Sequence, residues 1–330
     1  MKILVTGGAG FIGSHFTRSL LLGAPAGYET ARVTVLDKLT YAGNPANLAP
    51  VTGHPRFSFV QGDVADPRVA AEVVPGHDVV VNFAAETHVD RSITGPSAFV
   101  TTNVLGTQTL LQAAVDAGVR TVVQVSTDEV YGSVEQGAWT EDEPLLPNSP
   151  YSAAKAAADL MCRAYHRTYG LDVRVTRCAN NYGPYQHPEK LIPLFVTSLL
   201  EGRRVPLYGD GLNVREWLHV DDHCRAILVV LDKGSPGEVY NVGGGAELTN
   251  RELTGRLLAA LGAGWDAVDH VPDRPGHDRR YAVDGARVRA LGYEPRVGFE
   301  EGLAEVVAWY RDHQAWWRAA RGRSGAVRVR

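Results

Sequence analysis

Cysteine is scarce in this chain of 330 residues: Cys162, Cys178 and Cys224 are few, widely spaced and form no CxxC pair. Such a set excludes a disulfide framework and a zinc site, and the thiols read as reduced filler with no metal expected. An excess of one charge is also lacking, since the formal net charge is -4, and no basic face for nucleic acid follows from it. Long apolar runs are missing too. Nothing approaches the ~20 residues of a bilayer span. The opening MKILVTGGAGFIG is broken by glycines and leads to no small-residue cleavage site, so it is not read as a secretory leader. Internal repeats and low-complexity segments are absent as well. These absences predict a cytoplasmic protein that engages neither nucleic acid nor membrane. The 45% hydrophobic and 21% charged residues are ordinary for a packed globular chain.

What is present begins with alternation. KILVTG, FIGSHFTRSLLLG, RVTVLD, FSFVQGD and HDVVVNFAA alternate apolar strands with a helical stretch. Strands apolar along their length signal a parallel sheet covered on both faces, hence an α/β, doubly wound Rossmann fold. TTNVLGTQTLLQAAVDAG predicts a helix ending at Gly118, and TVVQVSTDEVYG a strand running into a loop. A long helix is expected from Ser149 to Gly170, with Ser149 capping its amides and Pro150 at its first position. LDVRVTRCA adds a strand. The first, sheet-forming domain then spans residues 1–179, with a return of the chain at about 212–245. A smaller mixed α/β lobe takes 180–211 and 246–330, and the basic ending after Trp317 is read as a frayed terminus.

The first strand leads into a glycine loop, Gly7, Gly10 and Gly13, followed by Phe11 and Ile12 at a helix start. Glycines let the backbone approach a pyrophosphate whose charge meets the helix amides. Asp37 closes the second strand, where a carboxylate accepts from ribose hydroxyls and repels a 2'-phosphate, so NAD is expected over NADP although Lys38 is adjacent. Asp63, ending the third strand, either reaches the adenine or caps the next helix.

Tyr151 and Lys155 stand four residues apart, so their side chains share one helix face. A free tyrosine titrates near ~10, too high for an efficient base at neutral pH. A neighbouring ammonium, together with a positive nicotinamide ring, is expected to lower that value and suit the pair to deprotonating a hydroxyl as hydride leaves its carbon.

Coupled to the glycine loop, this pair resembles the extended short-chain dehydrogenase/reductase superfamily. The resemblance extends to Ser126 and Thr127, and to Asn103, for which a supporting role and a helix cap both stand. Two acids then follow Thr127, namely Asp128 and Glu129. Eliminating water from a sugar calls for such a pair: a base for the proton on carbon 5 and an acid for the hydroxyl leaving carbon 6, after carbon 4 has become a ketone. Neighbours on a strand point to opposite faces. Both acids therefore reach one substrate only if the strand breaks into a turn, and otherwise one faces solvent or caps.

STDEVYG, YSAAK, NNYGPYQHPEKLIP and YGDGLNVREWLHVDDH together resemble the dTDP-glucose 4,6-dehydratase family. That resemblance implies Thr127, Asp128 as acid, Glu129 as base, and Tyr151 with Lys155 as the oxidising pair. For NAD it implies Val64, Ala84, Ala85, Ser126 and Asn180 beside the residues above. For dTDP-glucose it implies Glu86, His88, Thr127, Asn180, Asn181, Lys190, Leu191, Pro206, Tyr208, Arg215, Asn250, Arg274, His277 and Tyr281. A homodimer through helices at about Thr101 to Ala117 and Ser149 to Tyr169 is implied as well. A 4-epimerase of the same superfamily would have no need of Asp128 and Glu129, and a non-catalytic dinucleotide sensor no need of Tyr151 and Lys155.

Overall fold

Valine, isoleucine and leucine set the architecture, because strands buried on both faces tolerate little else. The computed structural model describes residues 1–323. Along them run β1 Lys2–Thr6, β2 Arg32–Asp37, β3 Phe57–Gln61, β4 Val79–Asn82, β5 Thr121–Thr127, β6 Val173–Cys178, β7 Asn180–Tyr182, β8 Val205–Tyr208, β9 Val214–His219, β10 Val239–Val242, β11 Ala246–Thr249 and β12 Val268–Val271. Seven form one parallel sheet in the order β10-β6-β5-β4-β1-β2-β3.

Helices cover both faces, as a doubly wound fold requires. Val79 and Val81 of β4 pack towards Phe16 of the helix Phe11–Arg18, Leu20 of the wider turn Ser19–Gly23 that continues it, and Ile227 of the helix Val220–Lys233. Val80 points the other way, towards Leu110 and Cys162. All three valines are fully buried, which stabilises the sheet by about 1.5–3 kcal/mol each. The expectation of strands apolar throughout holds at the centre and fails at the edge. There Ser58 and Phe59 of β3 face solvent, because an edge strand lacks a second neighbour.

β1 has β2 on one side and β4 on the other, so the strand order reverses there and opens a crevice at the carboxyl ends. The glycine loop lies at that point. Beyond β6 the chain leaves the large sheet. β7 pairs with β9, and β9 with β11, while β8 pairs with β12. Trp217, Leu218 and His219 end β9, and the next helix begins at Val220. A separate core of Ile192, Phe195, Leu207, Trp217, Leu257, Val306 and Trp317 holds this lobe together.

The expectation of a frayed ending after Trp317 is corrected in part. The helix Gln314–Arg323 includes the first six residues of that tail, and Arg321 pairs with Glu201 at 2.7 Å. Packing of the fully buried Trp317 supplies the apolar anchor that the tail itself lacks. Residues 324–330 of the tail lie outside the described residues.

Candidate active site

The glycine loop is a cradle that side chains would fill. Gly7 has φ of +67°, and a Cβ there would stand 2.6 Å from the Ala84 nitrogen; one on Gly13 would stand 2.5 Å from the Gly7 oxygen. The helix Phe11–Arg18 starts at Gly10 with no side-chain cap, leaving its first amides available to an anion. Asp37 Oδ2 accepts the Ala9 amide at 2.9 Å and Oδ1 that of Leu39 at 2.8 Å. Burial raises the Asp37 carboxyl above its ordinary value, and these amides oppose the rise. Lys38, the cation that counted against NAD, pairs with Asp63 at 2.6 Å. Asp63 also accepts the Ala65 amide, while Asp66 caps the helix Pro67–Val73, so the capping alternative for Asp63 falls. Every residue the sequence assigned to the cofactor, from Gly7 to Asn180, lines this one cleft, whose backbone cradle and bare helix start fit a dinucleotide.

Tyr151 and Lys155 project into the cleft from the helix Pro150–Tyr169, whose start carries the expected Ser149 cap and a reciprocal bond with Ser152. Lys155 Nζ donates to the Val125 carbonyl at 2.6 Å, which ties the ammonium to the end of β5. The expected lowering of the phenol included a positive nicotinamide ring; the protein's own groups act in the other direction. Burial, then the charges of Glu129 and Cys178, raise the Tyr151 phenol well above its ordinary value, with a Thr87 hydrogen bond in partial opposition. The protein alone therefore favours the phenol, because desolvation of a buried phenolate outweighs the Thr87 hydrogen bond.

The turn that two neighbouring acids need is present. β5 ends at Thr127, and Asp128–Tyr131 winds as a 3-10 turn capped by the Thr127 oxygen, which accepts the Glu129 amide. Gly132 closes it with φ of +78°, where a Cβ would meet the Leu146 carbonyl at 2.4 Å. Both acids then line the same cleft as Tyr151. Their surroundings differ. Asp128 is buried, one carboxyl oxygen accepts from Thr127 at 3.1 Å, and the other has no hydrogen-bond partner. Burial and the charges of Glu129 and Glu216 raise its carboxyl well above the ordinary value. Burial raises Glu129 too, but Arg274, Lys190 and Arg215 pull it back towards the charged form.

Asn103 is neither a cap nor a group facing the cleft. It sits inside the wide turn Val100–Leu105 and clasps the Glu86 backbone, accepting its amide at 2.8 Å and donating to its carbonyl at 3.1 Å. Glu86 thereby stays in the wall, with its carboxyl raised by burial. Ser126 Oγ and Asn180 Oδ1 are buried without partners and lie in the same wall.

The residues implied for the nucleotide-sugar divide into two groups. Glu86, Asn180, Asn181 and Lys190 line the main cleft; Lys190 donates to the Thr87 carbonyl at 2.7 Å. Asn181 is committed within the protein, to the Ala179 carbonyl and to His223. His88 follows β4 and precedes the helix Val89–Thr94, and the others stand on the lobe. Arg215 lies 4.2 Å over the Tyr281 ring and donates to the Asp278 carbonyl, and the Tyr281 hydroxyl donates to the Asp278 carboxylate at 2.6 Å. Arg274 approaches Asp90 at 3.5 Å, leaving its buried Nε without a hydrogen-bond partner. His277 packs edge-on to Tyr208 at 6.2 Å and pairs with Asp273. Pro206 shares β8 with Tyr208, Leu191 opens the helix Leu191–Leu200, and Asn250 opens the helix Asn250–Leu261 with its buried Oδ1 unpartnered. Burial and three nearby cations hold His88 neutral, down to about 3. Sequence reasoning missed Thr87 and Asp278, which orient these groups through contacts no local pattern announces.

Fold and site together define an extended short-chain dehydrogenase/reductase. Residues 4–306 match the family model for GDP-mannose 4,6 dehydratase. A dTDP-glucose 4,6-dehydratase of Streptomyces niveus is 60% identical over 318 residues, covering 96% of this chain and 95% of that one. The crystal structure of the Streptomyces venezuelae dTDP-glucose 4,6-dehydratase with NAD and TYD bound superposes with a TM-score of 0.94 at 64% identity, covering 97% of this chain and all of that one. A UDP-glucose 4-epimerase of Thermotoga maritima gives 0.87 at 33% identity, over 95% of this chain and all of that one. The chain belongs to the dTDP-glucose 4,6-dehydratase family.

Proposed function

We propose that this chain is an NAD-dependent hydro-lyase that converts dTDP-glucose to dTDP-4-keto-6-deoxyglucose and water. The observation that carries the reading is the turn that sets Asp128 and Glu129 in one cleft with Tyr151. Bound NAD supplies the hydride acceptor for carbon 4 and, once reduced, the donor for carbon 6, so no net oxidation results.

Tyr151 takes the proton of the carbon 4 hydroxyl as a phenolate, a form that Lys155, held against β5, and the positive ring of bound NAD would favour over the phenol the protein alone holds. Glu129, kept towards its charged form by three cations, takes the carbon 5 proton. Asp128, kept protonated by burial, delivers a proton to the hydroxyl leaving carbon 6, and the Thr127 hydroxyl orients it. Residues 1–179 with the helix Val220–Lys233 and β10 build the dinucleotide side, and residues 180–219, which include β9 against the expected boundary, join 246–323 to build the nucleotide-sugar side. Arg215, Arg274 and Lys190 supply the cations for the diphosphate, with the paired donors of arginine suited to phosphate oxygens. His88 and Glu86 face the sugar, while Tyr208, His277, Asn250, Pro206, Leu191, Asn181 and Tyr281 frame the nucleotide.

The protein works as a cytoplasmic homodimer in deoxysugar synthesis. Val100, Leu105, Leu160 and Tyr169 are 56%, 48%, 58% and 54% exposed on the helical face that a second copy would cover, and a free apolar face of that kind favours association. Among the described residues no helix is long and apolar enough to cross a membrane.

Incubation with dTDP-glucose, with mass and NMR analysis of the product, tests the reading. A 4-keto-6-deoxy sugar is expected, and a dTDP-galactose product would overturn it. Parallel incubation with UDP-glucose reads the base preference, for which a thymine methyl is worth only ~1 kcal/mol.

A further inference from the structure

The last described helix of the chain reaches the first loop. Trp316 and Ala320, on Gln314–Arg323, line the same cleft as Gly10 and Asp37. Trp316 Nε1 donates to the Asn47 side-chain oxygen at 3.0 Å. The buried Asn47 amide nitrogen donates to the Ala9 carbonyl at 2.9 Å, and the Ala9 amide in turn donates to Asp37 at 2.9 Å. Arg18, in the helix that begins at the glycine loop, donates to the Asn47 carbonyl and lies 4.2 Å over the Tyr185 ring. A continuous line of hydrogen bonds thus runs from the C-terminal helix into the pyrophosphate-binding loop.

The helix is itself firmly seated in the lobe. Trp317 is fully buried and donates to the Tyr310 carbonyl at 2.8 Å. Arg321 holds Glu201 and Thr197 at the end of the helix Leu191–Leu200, and Trp316 packs edge-on to Trp309 and Tyr185. Trp316 is therefore a rigid contact from the sugar-binding lobe onto the dinucleotide side.

We propose that this helix is a latch that retains the dinucleotide, with Trp316 as the positioning residue acting through Asn47 on the glycine loop. The inference rests on the NAD reading above. A reaction that returns its cofactor to the starting oxidation state in each turnover gains nothing from cofactor release. A wall shared by both lobes makes departure of the dinucleotide require their separation, which slows it. The latch thereby ties cofactor retention to the integrity of the sugar lobe.

Exchange of bound NAD for isotopically labelled NAD in the purified holoenzyme is the test, sampled by rapid desalting, with the melting temperature followed separately. Trp316→Phe keeps the ring and deletes the donor; Trp316→Ala deletes both. Exchange is expected to quicken about threefold in the first and about tenfold or more in the second. A packing role alone would lower the melting temperature and leave exchange unchanged. Exchange within about twofold of the wild type in folded Trp316→Phe overturns the latch, and that variant decides the matter alone if Trp316→Ala does not fold. Wild-type protein that carries and takes up no NAD would overturn the dinucleotide reading and the latch with it, whereas equal exchange rates would sink the latch only.

Discussion

The Thr127 hydroxyl donates to Asp128 at 3.1 Å while its oxygen caps the turn that carries Glu129. One side chain thus fixes the geometry of both acids, and the division of labour between them follows from burial and from the cations around Glu129.

The first prediction separates the chemical steps. Tyr151→Phe should lose the initial oxidation, lowering kcat by about 100-fold or more with no rise in NADH absorbance. Glu129→Gln should still show NADH absorbance on mixing with dTDP-glucose yet release little 4-keto-6-deoxy product. Equal NADH accumulation in the two variants would contradict the assigned roles.

The pH profile follows from the two carboxyls. Glu129 must be ionised, and burial raises it above the ordinary glutamate value, so kcat falls as pH drops through that raised value. Asp128 must be protonated and is raised further from its ordinary value, so the rate also falls as pH climbs through its value. A bell-shaped dependence of kcat on pH is expected, and an acidic limb at the position of an unperturbed glutamate would count against Glu129 as base.

Asp128 should also weaken the fold at neutral pH. Its folded-state value is raised, so its contribution to stability is full below the unfolded value and is lost as pH rises through the folded one. Asp128→Asn mimics the neutral acid and removes that loss. Calorimetry at pH 8 should show a melting temperature higher by about 1–3 °C, alongside a sharp fall in turnover; a lower melting temperature would show that the carboxyl is not held neutral.

Asp37→Ala should weaken NAD binding about tenfold or more, since it leaves the Ala9 and Leu39 amides without their acceptor and loosens the loop. Fluorescence titration of the stripped protein measures this. An unchanged Kd would mean that the loop keeps its shape without the carboxylate.

Leu160→Glu should shift the protein from dimer to monomer in light scattering, because it places a charge on an apolar residue that is 58% exposed. A variant that stays dimeric would locate the interface elsewhere.

Much of the site was legible because its chemistry is local. Gly7, Gly10 and Gly13 report a backbone that must turn and be approached closely, and Tyr151 with Lys155 report one helix face. The pairing of Thr127, Asp128 and Glu129 was visible as composition, but the turn that lets both acids face one cleft lay only half in view, through Gly132. Roles set by distant partners were hidden. Asn103 resembled a cap until Glu86 came to meet it, and Asp63 resembled one until Lys38 did.

The sequence by itself determined the parallel doubly wound sheet, the glycine loop and the residues proposed to react, since periodicity and short spacings act within a few residues. Only the tertiary structure decided the upward shifts of Tyr151 and Asp128, the three cations near Glu129 and the contact of Trp316 with Asn47. Desolvation and charge depend on what surrounds a group in space, and those neighbours arrive from segments as far apart as 269 positions along the chain.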